Sequence, residues 1–333
     1  MMRSLLWPLN PLYAAAVAAK NIAYDRAWRQ TQHLQWPVIS IGNISVGGSG
    51  KTPLVIRLAE LLKQNGLHVD VLSRGYGRSS YAMERVDPAG SPDRFGDEPL
   101  LIAQSANVPV YVGASRYAAG LLAEKEYTGA GIHLLDDGFQ HRQLARSLDI
   151  VIIHRTDFAE TLLPSGNLRE PFSSLKRASI LALRSEDADL EAQLQRQGIT
   201  APLWWIDRTV QVPNMAGRAV VFCGIARPQE FFAALKSNGV ESAAMHAFRD
   251  HHRYTEADMR QLIEMARLGR ADSFLTTEKD LARLNPAQRA LLTAVAPLRT
   301  VKLDVRLRDE AAIVERLSEQ LSSRLSIRSQ HSM

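Results

Sequence analysis

Val38-Ile39-Ser40-Ile41-Gly42, followed after Asn43-Ile44 by Ser45-Val46-Gly47-Gly48-Ser49-Gly50-Lys51-Thr52, decides the fold of this chain. The first segment reads as a buried strand, and a helical pattern starts at Pro53. A glycine-rich turn between them lets backbone N–H groups point at phosphate oxygens. Lys51 adds a point charge and the Thr52 hydroxyl suits Mg²⁺. The helix N-terminus contributes its partial positive charge to the same place. Leu54, Leu58, Leu61 and Leu62 form one apolar face of that helix, and Gly66 can end it. One position departs from the usual pattern, because Ser45 stands where the first glycine is expected. A glycine-rich turn with an accidental lysine is the competing reading, and the strand and helix on either side speak against it.

At 333 residues the chain is long enough for two domains with large cores. With 46% hydrophobic and 23% charged residues, composition argues against collagen-like, disordered and disulfide-scaffold classes. The single cysteine, Cys223, cannot form an internal disulfide and favours a reducing compartment. A net charge of +5 suits an anionic partner, whether nucleic acid, anionic lipid or phosphorylated substrate, without choosing among them.

The N-terminus carries Leu5-Leu6-Trp7, Pro8 and Pro11, an Ala-rich run from Leu12 to Ala19, and then Lys20, Arg26 and Arg29. The run is too short and too proline-broken to span a hydrocarbon layer of roughly 30 Å. It superficially resembles a secretory signal, but a cleaved signal would export a nucleotide site to a compartment without ATP. Two readings stay open: a helix packed on the protein's own core, or an interfacial helix lying in a membrane surface.

Beyond residue 36 the pattern alternates strand and helix. Strands are expected at 67–72, 108–112, 132–137, 149–153 and 179–183, with helices from Asp97 and over 116–126, the latter capped by Ser115. Residues 79–95 read as turn-rich. Such near-continuous apolar strands imply an α/β fold, a mostly parallel sheet flanked by helices. The rhythm breaks near 200–217, at Trp204, Trp205, Pro213, Asn214 and Gly217. A smaller α/β set follows, with strands near 219–223, 240–246, 273–276 and 299–305 and a terminal helix over 309–324. The expected organisation is therefore an N-terminal segment 1–36, a nucleotide-binding domain 37–212, a second α/β domain 213–325, and a disordered tail 326–333.

Asp136-Asp137 ends a hydrophobic strand, where open α/β sheets bind ligands. In a phosphate-loop protein such a carboxylate holds Mg²⁺ directly or through water, against the plainer reading of an Asp-Gly turn. Gly138-Phe139-Gln140-His141-Arg142 follows it as a polar turn. Asp97-Glu98 before Pro99 either caps a helix or supplies a general base for an attacking hydroxyl. Arg74, Arg78, Arg116, Arg142 and Arg169 lie at expected strand ends and helix starts, and two or three of them are expected to meet phosphate, Arg169 and Arg116 foremost. Asp250-His251-His252 fits a metal site, an acid/base histidine with a partner, or a polar turn. Thr277-Glu278-Lys279-Asp280 is not the guanine-specifying Asn/Thr-Lys-x-Asp pattern, since Lys279 and Asp280 are adjacent.

In this order the motifs resemble the tetraacyldisaccharide 4′-kinase family of lipid A biosynthesis. The resemblance runs through Gly42–Pro53, Ser73–Gly77, Gly96–Pro99, Asp136–His141, Leu168–Pro171, Asp250-His251 and Thr277–Asp280. In that family serine at the first loop position is normal. The resemblance implies a P-loop kinase-type fold, with ATP, Mg²⁺ and a lipid-linked glucosamine disaccharide 1-phosphate as cofactors and acceptor. It implies Asp97 as base with His251 as partner, ATP on the loop Ser45 to Thr52, and Lys51 with Thr52 on phosphate and Mg²⁺. Asp136, Asp137 and Glu170 would organise the metal. Arg169 would contact transferring charge, and Arg74, Arg116 and Gln140 the substrate. It also turns the N-terminal ambiguity towards an interfacial helix at the cytoplasmic face of the inner membrane, with no nucleic acid and no stable protein partner implied. The runner-up is a switch or partitioning ATPase of the same loop class. A nucleic-acid-binding ATPase would need basic and aromatic residues in one stripe, whereas these arginines gather at strand ends.

Overall fold

A computed structural model of the chain describes residues 4–48 and 50–319. Ser49 and the tail expected at 326–333 lie outside the described residues, as does the end of the terminal helix, of which 310–319 is helical. The chain enters through a 3₁₀ turn, Ser4–Leu9, and helix α1 (Asn10–Asp25). Strand β1 (Val38–Asn43) leads through the glycine-rich loop into α2 (Lys51–Gln64). β2 (Val69–Ser73) follows. The stretch expected to be turns contains a two-residue strand β3 (Glu84–Arg85) and one helical turn α3 (Pro92–Phe95). Then come α4 (Asp97–Ala106), β4 (Val110–Val112) and α5 (Arg116–Glu126), where Ser115 caps by accepting from the Ala118 N–H. β5 (Ile132–Asp136), β6 (Leu148–Ile152) and β7 (Ile180–Arg184) complete the first parallel set, and α6 (Leu190–Arg196) covers its far edge.

Every residue of β1, β2, β4, β5 and β6 is buried, which is what helices on both faces of a parallel sheet require. One cluster, around Ile39, Leu54, Leu58, Val71 and Leu134, packs α2 and α4 on one face. Another, around Leu34, Val38, Leu72 and Leu135, seats α5 on the other. β1 lies between β5 and β6, so the loop leaving it stands at the centre of the C-terminal edge.

The break read at Trp204 and Trp205 is a strand, β8 (Leu203–Gln211), and this corrects the expectation of an interruption there. β8 pairs parallel to β7 through Leu203 to Ile206. From Ile206 to Gln211 it pairs antiparallel to β12 (Leu298–Leu307). Before β12 the chain builds β9 (Ala219–Cys223), α7 (Pro228–Ser237), β10 (Ser242–Ala247), α8 (Glu256–Gly269), β11 (Ser273–Thr277), α9 (Glu278–Arg283) and α10 (Pro286–Thr293). The whole is a twelve-stranded sheet ordered β10-β9-β11-β12-β8-β7-β6-β1-β5-β2-β4-β3. The β8 and β12 ribbon reverses strand direction between the two parallel sets. Loops from the C-terminal edges of both sets meet over one cleft.

Gly42 shows how tightly that edge is built. A Cβ there would lie 2.6 Å from the Phe139 Cβ and 2.8 Å from its backbone N, and Phe139 is fully buried. Gly42→Ala is expected to cost about 1–3 kcal/mol through overpacking. Urea unfolding reads it, and an unchanged midpoint would contradict this packing.

Candidate active site

The phosphate loop bends through Gly47 (φ 102°) and Gly50 (φ 85°), backbone conformations that glycine adopts without strain. α2 begins at Lys51, two residues earlier than expected, so Pro53 falls in the first turn, where a missing N–H costs nothing. Lys51 is buried at the mouth of β1. Its Nζ donates to Asn43 Oδ1 at 2.9 Å and stands 3.3 Å from Asp137 Oδ1. Thr52 is buried beside it.

β5 delivers Asp136 at its last residue, and Asp137 follows in the left-handed region at φ 50°. For a non-glycine residue that conformation is strained and must be held by its surroundings. Arg169 supplies part of the hold, Nη1 donating to Asp137 Oδ2 at 2.7 Å and Oδ1 at 2.9 Å. Burial opposes ionisation of Asp137, but Lys51 and then Arg169 keep its carboxyl below the usual range. Asp136 goes the other way. Burial, with the charges of Glu98 and Asp137 adding to it, pushes it up to about 7. Its Oδ2 accepts from Ser73 Oγ at 3.1 Å. Its buried Oδ1 has no hydrogen-bond partner among the described residues.

The facing wall joins both halves of the chain. α4 starts at Asp97-Glu98, and the loop after β10 places His251, at φ 56°, with Nδ1 3.3 Å from Asp97 Oδ2. Burial works against the Asp97 charge, yet the His251 hydrogen bond and the Arg283 guanidinium hold it below the usual carboxylate value. The same hydrogen bond raises His251. Lys279 of α9 donates to Glu98 Oε1 at 2.7 Å. Although burial resists, that ammonium brings Glu98 down to about 2.

Between these walls lies a cleft of about 640 Å³. Gly47, Gly48, Lys51, Asp136, Asp137 and Arg169 line it, and so do Arg74, Arg116, Gln140 and His251. Burial and the neighbouring Arg74 lower Arg116 to about 10, and its buried Nε has no partner among the described residues. An anion in the cleft would relieve both conditions.

Other expected residues are placed elsewhere. Glu170 is buried against Arg177, at 3.1 Å, and Asn21 of α1, at 2.9 Å, and faces a separate cavity of about 460 Å³ beneath α1. Arg78 donates to the Ala82 carbonyl, Arg142 reaches Asp25 on α1, and His252 turns to Asp258. Sequence reasoning gave no individual role to Asn43, Ser73, Lys279 or Arg283, and it offered Glu98 only jointly with Asp97 as a cap or base. Lys279 carried a signal, since it sits in the Thr277–Asp280 segment. Asn43, Ser73 and Glu98 likewise sit in Gly42–Pro53, Ser73–Gly77 and Gly96–Pro99, whereas Arg283 is tied to the site only by tertiary contact.

Among the described residues no three His, Cys, Asp or Glu side chains converge as a ready metal cage. Mg²⁺ does not need one, because it binds through one or two carboxylates together with substrate phosphates. The unpartnered Asp136 Oδ1, the adjacent Asp137 and the Thr52 hydroxyl fit that mode.

A phosphate loop alone binds a nucleotide. A carboxylate and imidazole held across the same cleft add a group able to activate a second substrate, and together they define a phosphate-loop kinase. The family model described as tetraacyldisaccharide-1-P 4′-kinase matches residues 2–322, and the chain belongs to that family. It is 43% identical over 321 residues to the tetraacyldisaccharide 4′-kinase of Koribacter versatilis, covering 93% of this chain and 97% of the relative. To that of Chromobacterium violaceum it is 36% identical, covering 91% and 92%. The solved structure of Aquifex aeolicus LpxK in complex with ATP superposes with a TM-score of 0.76 at 30% identity, covering 96% of this chain and all of that one.

Proposed function

We propose that the chain transfers the γ-phosphate of ATP to the 4′-hydroxyl of a tetraacylated glucosamine disaccharide 1-phosphate, with Asp97 as general base. The observation that carries this is the Asp97 contact to His251 at 3.3 Å, with His251 lining the same cleft as Lys51, Asp137 and Arg169. The loop from Ser45 to Thr52 cradles the phosphates with its backbone N–H groups, and Lys51 exchanges its Asp137 contact for phosphate oxygen. Thr52, Asp136 and Asp137 would hold Mg²⁺, which when bound neutralises charge on the β- and γ-phosphates. Glu170, committed to Arg177 and Asn21, supports α1 rather than the metal. Asp97 takes the proton of the attacking hydroxyl as its oxygen bonds to the γ-phosphorus and the bond to the β-phosphate oxygen breaks. His251 orients the carboxylate and steadies its charge before transfer. Arg169 and Arg116 balance the charge of the transferring group, while Arg74 and Gln140 line the acceptor side. The two parallel sets act as a nucleotide-binding domain and a smaller domain that closes its cleft.

ATP turnover measured with and without the lipid acceptor tests this reading. Turnover is expected to rise by at least about tenfold with acceptor, since the site is built to position two substrates. Equal turnover in both would contradict it and favour a switch ATPase.

The acceptor is a lipid, so the enzyme works at the cytoplasmic face of the inner membrane through its N-terminal segment. No described helix is long and apolar enough to cross a membrane. One side of α1 is tied to the body, Tyr13 donating to the Arg169 carbonyl and Lys20 to that of Gln140. Trp7 and Leu12 remain 69% and 70% exposed in the same N-terminal segment as the exposed Arg26 and Arg29, a composition suited to an anionic lipid interface. Trp7→Ser with Leu12→Ser is expected to cut co-sedimentation with anionic vesicles by about tenfold while leaving ATP affinity intact. Unchanged sedimentation would place the membrane contact elsewhere.

A further inference from the structure

We propose that Arg283 is the positioning residue of the reaction, pinning Oδ2 of Asp97 so that Oδ1 is the oxygen that receives the acceptor's proton. The proposal rests on the reading of Asp97 as base. Arg283 closes α9 in the second half of the chain, 186 positions from Asp97, and only 5% of its side chain is exposed. Its guanidinium makes four polar contacts. Nε donates to Asp97 Oδ2 at 2.5 Å, and Nη1 donates to the Gly224 carbonyl at 2.6 Å and to Asp280 Oδ1 at 3.0 Å. Nη2 lies 3.3 Å from His251 Nδ1. Asp280 is fully buried and is itself fixed by the Tyr254 hydroxyl, the Thr277 hydroxyl and the Gly224 N–H. The fork is therefore anchored on one side and presented to the reacting pair on the other.

His251 Nδ1 cannot serve both neighbours at once. A proton on Nδ1 is donated to Asp97 and faces the guanidinium; a bare Nδ1 accepts from Arg283 and faces the carboxylate. Whichever way the imidazole is protonated, the bond from Arg283 to Oδ2 persists. His251 and Arg283 both address Oδ2, and Oδ1 has no hydrogen-bond partner among the described residues. A base oxygen needs that freedom, because an oxygen already bonded to two donors is a poor proton acceptor.

The charged groups around the pair come from four elements. α4 supplies Glu98, α9 supplies Lys279, Asp280 and Arg283, the loop after β10 supplies Asp250 and His251, and α2 supplies Lys51. Tyr76 meets the His251 ring edge-on at 5.6 Å. Lys279 is spent on Glu98, so Arg283 is the cation in direct contact with Asp97.

The test uses Arg283→Gln and Arg283→Lys in the full chain. In Arg283→Gln, kcat with Mg-ATP and lipid acceptor is expected to fall about 100-fold, the cost of a misplaced reacting group, with KM for ATP little changed. Loss of the cation lets Asp97 hold its proton more tightly, so the acidic limb of the kcat profile moves to higher pH by roughly one unit. Arg283→Lys keeps charge without the fork, so its limb moves less while kcat stays low. Independently of turnover, the His251 imidazole titrated by NMR is expected at higher pH in Arg283→Gln, since the guanidinium opposes its charge. An unshifted His251 midpoint and an unshifted limb in either folded variant would overturn the proposal. So would a kcat loss matched by equal losses in ATP affinity and thermal stability, which would mark a purely structural arginine. A wild-type chain without acceptor-dependent turnover would instead sink the kinase reading, and the His251 titration would still report whether Arg283 governs the pair.

Discussion

Asp97→Ala is expected to lower kcat about 100- to 10,000-fold with Mg-ATP and lipid acceptor, the range a positioned general base supplies. KM for ATP should change little, because Asp97 belongs to α4 and its side-chain hydrogen bonds among the described residues go to His251 and Arg283. The substitution also takes from the buried Arg283 guanidinium one of its two carboxylate partners, leaving Asp280. Some loss of thermal stability is therefore expected. Asp97→Asn separates the two effects, since it keeps the shape and removes only the proton acceptor. The wild-type pH profile follows from the depressed carboxyl. Asp97 stays ionised above its lowered pKa and loses its charge as pH falls through it, below the usual carboxylate range. An acidic limb belonging to this group is thus expected in strongly acid solution and not near neutrality. Near-wild-type kcat in Asp97→Ala would remove it from the chemistry.

Lys51→Met should be nearly as damaging, by a different route. On the proposed mechanism the buried ammonium meets the nucleotide phosphates, and removing one such donor costs about 100- to 1,000-fold in kcat. Before nucleotide binds, Lys51 also stands 3.3 Å from Asp137 and lowers its pKa. Without it, Asp136 and Asp137 face each other with less compensation. The nucleotide-free variant should therefore gain stability as pH falls and the carboxyls take up protons, relative to its own value at neutral pH. Thermal unfolding across pH checks that sign, and steady-state kinetics checks the rate. A variant with normal kcat and an unaltered stability profile would contradict both roles.

Much of the site is legible in the sequence because its chemistry follows elements with strong local signals. Lys51 and Thr52 open a helix after an apolar strand, Asp136 ends another strand, and Asp97 starts a helix at Gly96. In a parallel sheet those positions fall on one edge, so spacing alone gathers them. Arg283 and Lys279 are of another kind. Arg283 meets Asp97 across 186 residues, and Lys279 meets Glu98 across 181, distances over which no periodicity speaks. β8 escaped notice for a physical reason as well. It begins beside the buried β7 and ends in the antiparallel ribbon with β12, so its burial alternates instead of running continuously. Trp204 is buried and Trp205 half-buried, an inward and outward pair that reads as irregular when a continuous apolar run is expected. Glu170 is assigned to the metal only through the family resemblance. Its partners Asn21 and Arg177 become visible only once α1 is packed against the 162–170 loop.

The most direct measurement follows the phosphate. The full chain is incubated with γ-labelled ATP, Mg²⁺ and tetraacyldisaccharide 1-phosphate, and the lipid product is isolated and its phosphorylated position determined by NMR. The account predicts label on the 4′-oxygen of the disaccharide, formed by wild type and nearly absent with Asp97→Ala. Label released only as inorganic phosphate, at the same rate with and without the lipid, would contradict it.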